Sequence, residues 1–170
     1  MKHITFEQDR NVISKPFEEI EVGDIARTGS RVITEEYVRS FGELTGDNHP
    51  LHTNARYAEQ TRFGRQIAHG ALMISTLLGL VELHPSYLQC FYSLDNLRFK
   101  APTFFGDLVY AVSEISAVSP RKDNRSAVVT SSANLINQDG VVVLDGNFSL
   151  LVAGRSEALD LPVTKEQAAP

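Results

Sequence analysis

The sequence has no tryptophan, a single cysteine, and no apolar stretch approaching the roughly 18 residues that a membrane-spanning helix needs. A lone cysteine, Cys90, excludes an intrachain disulfide, and its apolar setting, "YLQCFYSL", predicts an inert buried thiol. The opening "MKHITFEQDRNVISK" lacks the apolar segment of a signal peptide, so a cytoplasmic protein is expected. Basic residues are also in deficit, 16 Lys and Arg against 21 Asp and Glu, for a net charge of -5. That balance argues against a broad surface for nucleic acid or anionic lipid, so neither partner is expected and any anion site must be local. Internal repeats and low-complexity segments are lacking as well.

What is present is ordinary globular chemistry. With 170 residues, 42% hydrophobic and 22% charged, the chain fits one domain with a real core. We assign that domain to residues 1–155 and read 156–170, with its charge, proline and alanine and no periodicity, as a loosely attached tail.

Residues 25–33 alternate as a strand does. At Thr34 the period changes: Thr34 can cap a helix, Glu35 and Glu36 suit its first turn, Tyr37, Val38, Phe41 and Leu44 recur at helical spacing, and Gly46 supplies a stop. Asn54 is placed to cap a second short helix, "ARYAEQT". Residues 70–83 then read as a helix apolar on nearly every face, hence buried in protein. From residue 86 onward four long strand patterns follow, separated by "APTFFGD", "SPRKDN" and "QDG", the punctuation of antiparallel hairpins. A curved antiparallel sheet wrapped around one apolar helix buries both, which makes the fold class α+β.

The chemistry concentrates in "GELTGDNHPLHTNARY", residues 42–57. Asp47 and His52 flank Pro50 in a segment stiffened by proline and by Asx-type turns. A carboxylate and an imidazole converging on one water can pass its proton back and forth, which is the minimum equipment for adding or removing water. Further along, "AHGAL" puts Gly70 at the start of the apolar helix. Unpaired backbone N–H groups and the positive end of the dipole could there face a growing oxyanion. Turn chemistry alone could also explain an Asp–His pair, and Asp47, His49 and His52 together could present oxygen and imidazole ligands to zinc. No standard metal-site spacing accompanies them, and no metal is expected.

The run "FGELTGDNHPLHTNARYAEQTRFGRQIAHGAL" resembles the hydratase 2 motif of the MaoC-like dehydratases, the (R)-specific enoyl-CoA hydratases. The match is close over about residues 37–83, and residues 92–153 are compatible with the remainder. The resemblance implies a hot-dog fold, a long helix wrapped by a curved antiparallel sheet, and at least a homodimer. It implies reversible hydration of a trans-2-enoyl thioester to an (R)-3-hydroxyacyl thioester, with no cofactor, the coenzyme A or acyl-carrier-protein thioester being the substrate. Carried over by position, Asp47 and His52 are the catalytic pair, and the Gly70 N–H holds the thioester oxygen. Asn48, His49 and Pro50 support the loop. His49 departs from the pattern, which has asparagine there, and Leu78 stands where some members carry a serine, with Ser75 and Thr76 close by.

Phe63, Leu72, Met73 and Leu77 are the candidates for an acyl pocket. Arg62, Arg65, Arg98 and Lys100 are those for the phosphates of the carrier. Two other readings stand beside the hydratase: a hot-dog thioesterase, which resembles this motif much less, and a non-catalytic acyl-thioester-binding subunit, which His49 and Leu78 would favour.

Overall fold

In a computed structural model, which describes residues 11–160, the described residues form seven strands and four α-helices. The opening ten residues and the last ten, on which the leader reading and most of the tail fall, lie outside the described residues. Among the described residues no helix is long and apolar enough to cross a membrane.

Strand β1 (Asn11–Ile13) is short and pairs in parallel with β3 (Glu82–Leu83). The main sheet is five-stranded and antiparallel, in the order β2 (Ile25–Val32), β5 (Leu108–Pro120), β6 (Ser126–Asn137), β7 (Val142–Ala153), β4 (Leu88–Phe99). Register shifts interrupt the β2–β5, β4–β7, β5–β6 and β6–β7 ladders. Such bulges bend a strand and raise its twist, which is what a sheet needs in order to wrap a helix.

The helices lie in the first half. Helix α1 (Glu35–Thr45) starts where Thr34 Oγ1 accepts from the Tyr37 N–H at 3.1 Å and stops at Gly46, whose φ of 79° needs glycine. Helix α2 (Pro50–Thr53) leads into α3 (Ala55–Glu59), which Asn54 caps through a 3.1 Å bond from the Tyr57 N–H. Helix α4 (Gly70–Leu80) is the central one. Its Leu72, Met73 and Leu77 join Ile33, Val38, Val109, Ile115, Leu135, Leu144, Phe148 and Leu150 in one core. Burying each such leucine contributes about 1.5–3 kcal/mol relative to leaving it in water.

Three expectations change. Helix α4 ends at Leu80 rather than at residue 83, because Val81 turns to extended backbone and Glu82–Leu83 pair with β1. The helix is not buried all round: Ala71, Ser75 and Gly79 form an exposed stripe, tolerable because such small residues carry little apolar surface. Thr76 points inward, its hydroxyl 3.5 Å from the Tyr37 hydroxyl, whereas Ser75 is exposed. Finally, Cys90 is exposed, not buried. Among the described residues its strand β4 is the edge of the sheet with no strand beyond it, and Cys90, Phe91 and Tyr92 are exposed there.

Candidate active site

The polar run between α1 and α3 is less of a loop than its composition suggests. Pro50 opens α2, where a missing N–H costs nothing and φ is already helical. His49 caps that helix, its Nδ1 accepting from the Leu51 N–H at 3.2 Å. Because Nδ1 accepts, the neutral ring carries its proton on Nε2. The Asx-type turn is present at the same place: Asp47 Oδ1 accepts from the His49 N–H at 3.4 Å. Thr53 Oγ1 reaches back to the His49 carbonyl at 3.3 Å. Asn48 packs its Oδ1 near Gly42, where a Cβ would stand 3.2 Å from it and 3.1 Å from the Asp47 carbonyl. Glycine at 42 therefore lets the loop lie flat on the end of α1.

His52 is carried on α2 and turned toward the segment before α4. Its Nδ1 lies 2.8 Å from the Ile67 carbonyl, which can only accept, so Nδ1 donates and Nε2 is left with the free lone pair in the neutral ring. The same segment is clamped from two more sides. Gln66 donates to the His52 carbonyl at 2.9 Å, and the Ala68 N–H donates to the Thr103 carbonyl at 2.8 Å. Burial pushes His52 below the ordinary histidine value. Nearby His69 and His49 push the same way, and the Ile67 carbonyl and Asp47 oppose them.

Asp47 is exposed, His52 half-buried and His69 buried, and one ligand-type atom from each lies within 4.8 Å of the others. His69 therefore replaces His49 in the constellation, and its ring lies against that of His52 with centroids 3.9 Å apart and planes at 33°. The trio suits a shared water better than a shared metal. Each ring already commits one nitrogen to a backbone carbonyl, His52 Nδ1 to Ile67 and His69 Nε2 to Asp47, which leaves one in-plane lone pair on each of two stacked rings tilted by 33°.

A cavity of about 380 Å³ opens beside the trio. His52, Phe63, Ala68, Gly70 and Met73 line one side, and Phe99, Lys100, Ala101, Thr103 and Val143 the other. Gly70 is the first residue of α4, where the amide groups of the opening turn have no partner within the helix. The far wall is rigid. Asp107, buried, accepts from the Phe104 N–H at 2.8 Å and from Gln138 at 3.2 Å, and Phe104 bridges to Ile67.

The sequence-based candidates divide accordingly. His52, Gly70, Phe63 and Met73 line this cavity; Asp47 does not line it but lies within 4.8 Å of the His52 ring by ligand atom, and His49 and Pro50 form the start of the helix that carries His52. Leu72 and Leu77, read as pocket residues, are core residues at 2% and 1% exposure and do not line it. Leu77 lies one turn beyond Met73 on the same helix face, deeper in the core, and Leu72 lies on another face. Of the cations, Arg62 and Lys100 line the cavity, Lys100 also meeting Asp145 at 3.4 Å. Arg65 stacks 3.7 Å over Phe104. Arg98 instead donates to the Leu97 carbonyl and lines a separate polar depression with Asn96, Asn134 and Asp145. The residue with no role assigned from the sequence was His69. Its signal was the His-Gly pair of "AHGAL", of which only the glycine had been given a role.

Comparison with known proteins bears on the family and the fold. The family described as "MaoC like domain" matches residues 19–136. A 3-hydroxybutyryl-CoA dehydratase of Methylorubrum extorquens is 33% identical over 84% of the chain and 87% of its own length. An (R)-specific enoyl-CoA hydratase of Aeromonas caviae is 35% identical over 75% of the chain and 91% of its own length. Among solved structures, a protein described as a monoamine oxidase regulatory protein from Archaeoglobus fulgius superposes with a TM-score of 0.78 at 33% identity, covering 82% of this chain and 94% of that one. A Mycobacterium tuberculosis protein with a double hot-dog fold gives a TM-score of 0.73 over 88% of this chain and 52% of that one. At 15% identity it speaks to the fold alone, and the fold is a hot-dog.

Proposed function

The chain belongs to the MaoC-like domain family, and on that premise we propose that Asp47 and His52 jointly hold and activate the water that this hydro-lyase adds to, or removes from, an acyl thioester. Hydration and dehydration of thioesters is the chemistry named for its relatives, the 3-hydroxybutyryl-CoA dehydratase and (R)-specific enoyl-CoA hydratase included. The finer reading is reversible syn hydration of a trans-2-enoyl thioester to the (R)-3-hydroxyacyl thioester. One observation carries the residue assignment: an exposed carboxylate has a ligand atom within 4.8 Å of that of a histidine whose only free nitrogen is Nε2 and which lines a cavity.

A water bridging the two sits at ordinary hydrogen-bond distance, about 2.8 Å, from each. His52 Nε2 draws one proton from it while Asp47 orients the oxygen toward C3 of the substrate. As the C3–O bond forms, the C2=C3 electron pair moves toward C2 and the thioester carbonyl, whose oxygen gains negative charge. Gly70, with its amide in the first turn of α4, is the donor proposed for that oxygen. The proton taken from water is returned to C2 on the same face, so one water is consumed and no electrons leave the system. That balance calls for no redox cofactor. The reverse sequence is the dehydration.

Phe63 and Met73 are the cavity residues proposed to meet the acyl chain, and Arg62 and Lys100 the cations proposed for carrier phosphates. A homodimer through β4 is part of the reading, supported by an unpaired sheet edge with Phe91 44% and Tyr92 55% exposed. The test is hydration of enoyl-CoA substrates of increasing length, followed by loss of enone absorbance and chiral analysis of the product. An (S)-3-hydroxy product, or release of free thiol, would sink this reading.

A further inference from the structure

His69 precedes α4 and has the backbone of an N-cap, yet its side chain makes no capping bond to the helix. The ring turns the other way. Its Nε2 lies 2.8 Å from the Asp47 carbonyl, and since a carbonyl only accepts, Nε2 carries the proton and donates. Nδ1 is consequently bare, buried, and without a partner among the described residues. One face of the ring lies on His52 at 3.9 Å, and Phe41 approaches at 5.2 Å and 51°. At 1% exposure His69 is among the most buried large side chains in the molecule.

Burying an imidazole in this way is expensive for a purely structural contact, because one nitrogen goes unsatisfied. An apolar ring of similar shape would fill the space without that cost. What the imidazole alone does is join three parts of the site. The donor fixes the backbone of Asp47, the ring face fixes the plane of His52, and the next residue in the chain is Gly70.

We propose that His69 is a positioning residue: through its bond to the Asp47 carbonyl and its stack on His52, it sets the separation between the acid–base pair and the Gly70 amide. The assignment rests on the hydratase reading for its catalytic consequence, but not for its geometry. The groups that face His52 are Asp47 from the preceding segment, His49 from the cap of α2 and His69 from the cap of α4. Arg62 and Lys100 stand on the walls of the same cavity. Of these, His69 holds the closer ring contact, 3.9 Å against 6.2 Å for the edge-on ring of His49.

Two variants separate the donor from the ring. His69→Phe keeps a ring face and loses the donor, whereas His69→Gln keeps an N–H and loses the ring. Histidine-selective NMR on the full-length protein reads the tautomers and the His52 titration without any turnover. The expected result is an Nε2–H tautomer at His69 in the unmodified protein, and a His52 titration that moves to higher pH in His69→Phe. In activity, kcat falls by about tenfold or more in His69→Phe at a KM changed less than about threefold, since a misplaced reacting group costs rate rather than binding. His69→Gln recovers part of that kcat. An Nδ1–H tautomer at His69, an unmoved His52 titration, or a kcat loss that tracks thermal stability equally in both variants would overturn the proposal. If the unmodified protein shows no hydration at all, the proposed function fails while the NMR result still decides this one.

Discussion

The Phe99 ring lies directly over Gly70: a methyl group added at 70 would stand 2.7 Å from Phe99 Cζ. Phe99 is 57% exposed in the chain, and its ring is the end of a flexible side chain, so it can swing aside. Gly70→Ala is therefore expected to change thermal stability little. It would nevertheless place a methyl and a displaced ring where the thioester oxygen must approach the amide. Losing one such donor costs about 10²–10³ in kcat. Melting temperature and kcat/KM measured together check this, and Gly70→Ala with Phe99→Ala should relieve the crowding without restoring the rate. A large drop in melting temperature for Gly70→Ala alone would show that the packing is rigid instead.

Asp47→Asn and His52→Ala should each lower kcat by about 10²–10⁴, the range for a positioned acid or base. Their stability signatures should differ. Asp47 is exposed and its one side-chain bond is a long 3.4 Å contact, so Asp47→Asn is nearly neutral for the fold. Removing the His52 ring takes a partner from the Ile67 carbonyl and a stacking face from His69, so it should cost about 1–3 kcal/mol. Denaturant melts and steady-state rates on the two variants separate these effects, and near-normal turnover in either would remove that residue from the site.

Burial holds His52 below the ordinary histidine value of about 6.5, and the base must be neutral at Nε2 to act. The acid limb of kcat/KM is thus expected below pH 6.5, with hydration still fast where a free histidine would already be half-charged. The stability consequence has a definite sign. Between the folded-state value and about 6.5 the unfolded chain binds more protons than the folded one, so stability rises with pH across that window and falls as pH drops through it. Rate profiles and urea midpoints from about pH 5 to 8 read both. An acid limb above about 6.5 would mean that Asp47 dominates the environment of His52 after all.

Much of this arrangement is legible in the sequence, and the part that is not has a common cause. Thr34, Gly46 and Asn54 act through their own neighbours in sequence, so the bounds of α1 and the start of α3 could be read from local chemistry. The four long strands followed from their alternation and turns. What failed to show depends on contacts between distant segments. The end of α4 is set by β1, some seventy residues upstream, and the exposure of Cys90 by β4 having no neighbour on one side among the described residues. His69 meets Asp47 across 22 positions. Leu72 and Met73 are adjacent and equally apolar, yet only Met73 borders the cavity, a distinction fixed by the roll of the helix.

His49 stands where the motif has asparagine, and its place as the cap of α2 makes the exchange testable. Asparagine Oδ1 and histidine Nδ1 can both accept from an N–H two residues on, and asparagine is among the preferred caps. His49→Asn is therefore expected to leave stability within a few tenths of a kcal/mol, while His49→Ala costs about 1 kcal/mol by leaving the Leu51 N–H without its cap. Activity should follow the same order, because α2 carries His52. The pH profile carries a second, independent signature. His49 is one of the groups that push His52 downward, so in His49→Asn the acid limb should move slightly toward higher pH with the rate at neutral pH unchanged. Melts and pH–rate profiles of both variants decide the matter. If asparagine proves as costly as alanine, the edge contact of His49 with Tyr57, at 5.8 Å and 84°, is what holds the segment, and the cap is secondary.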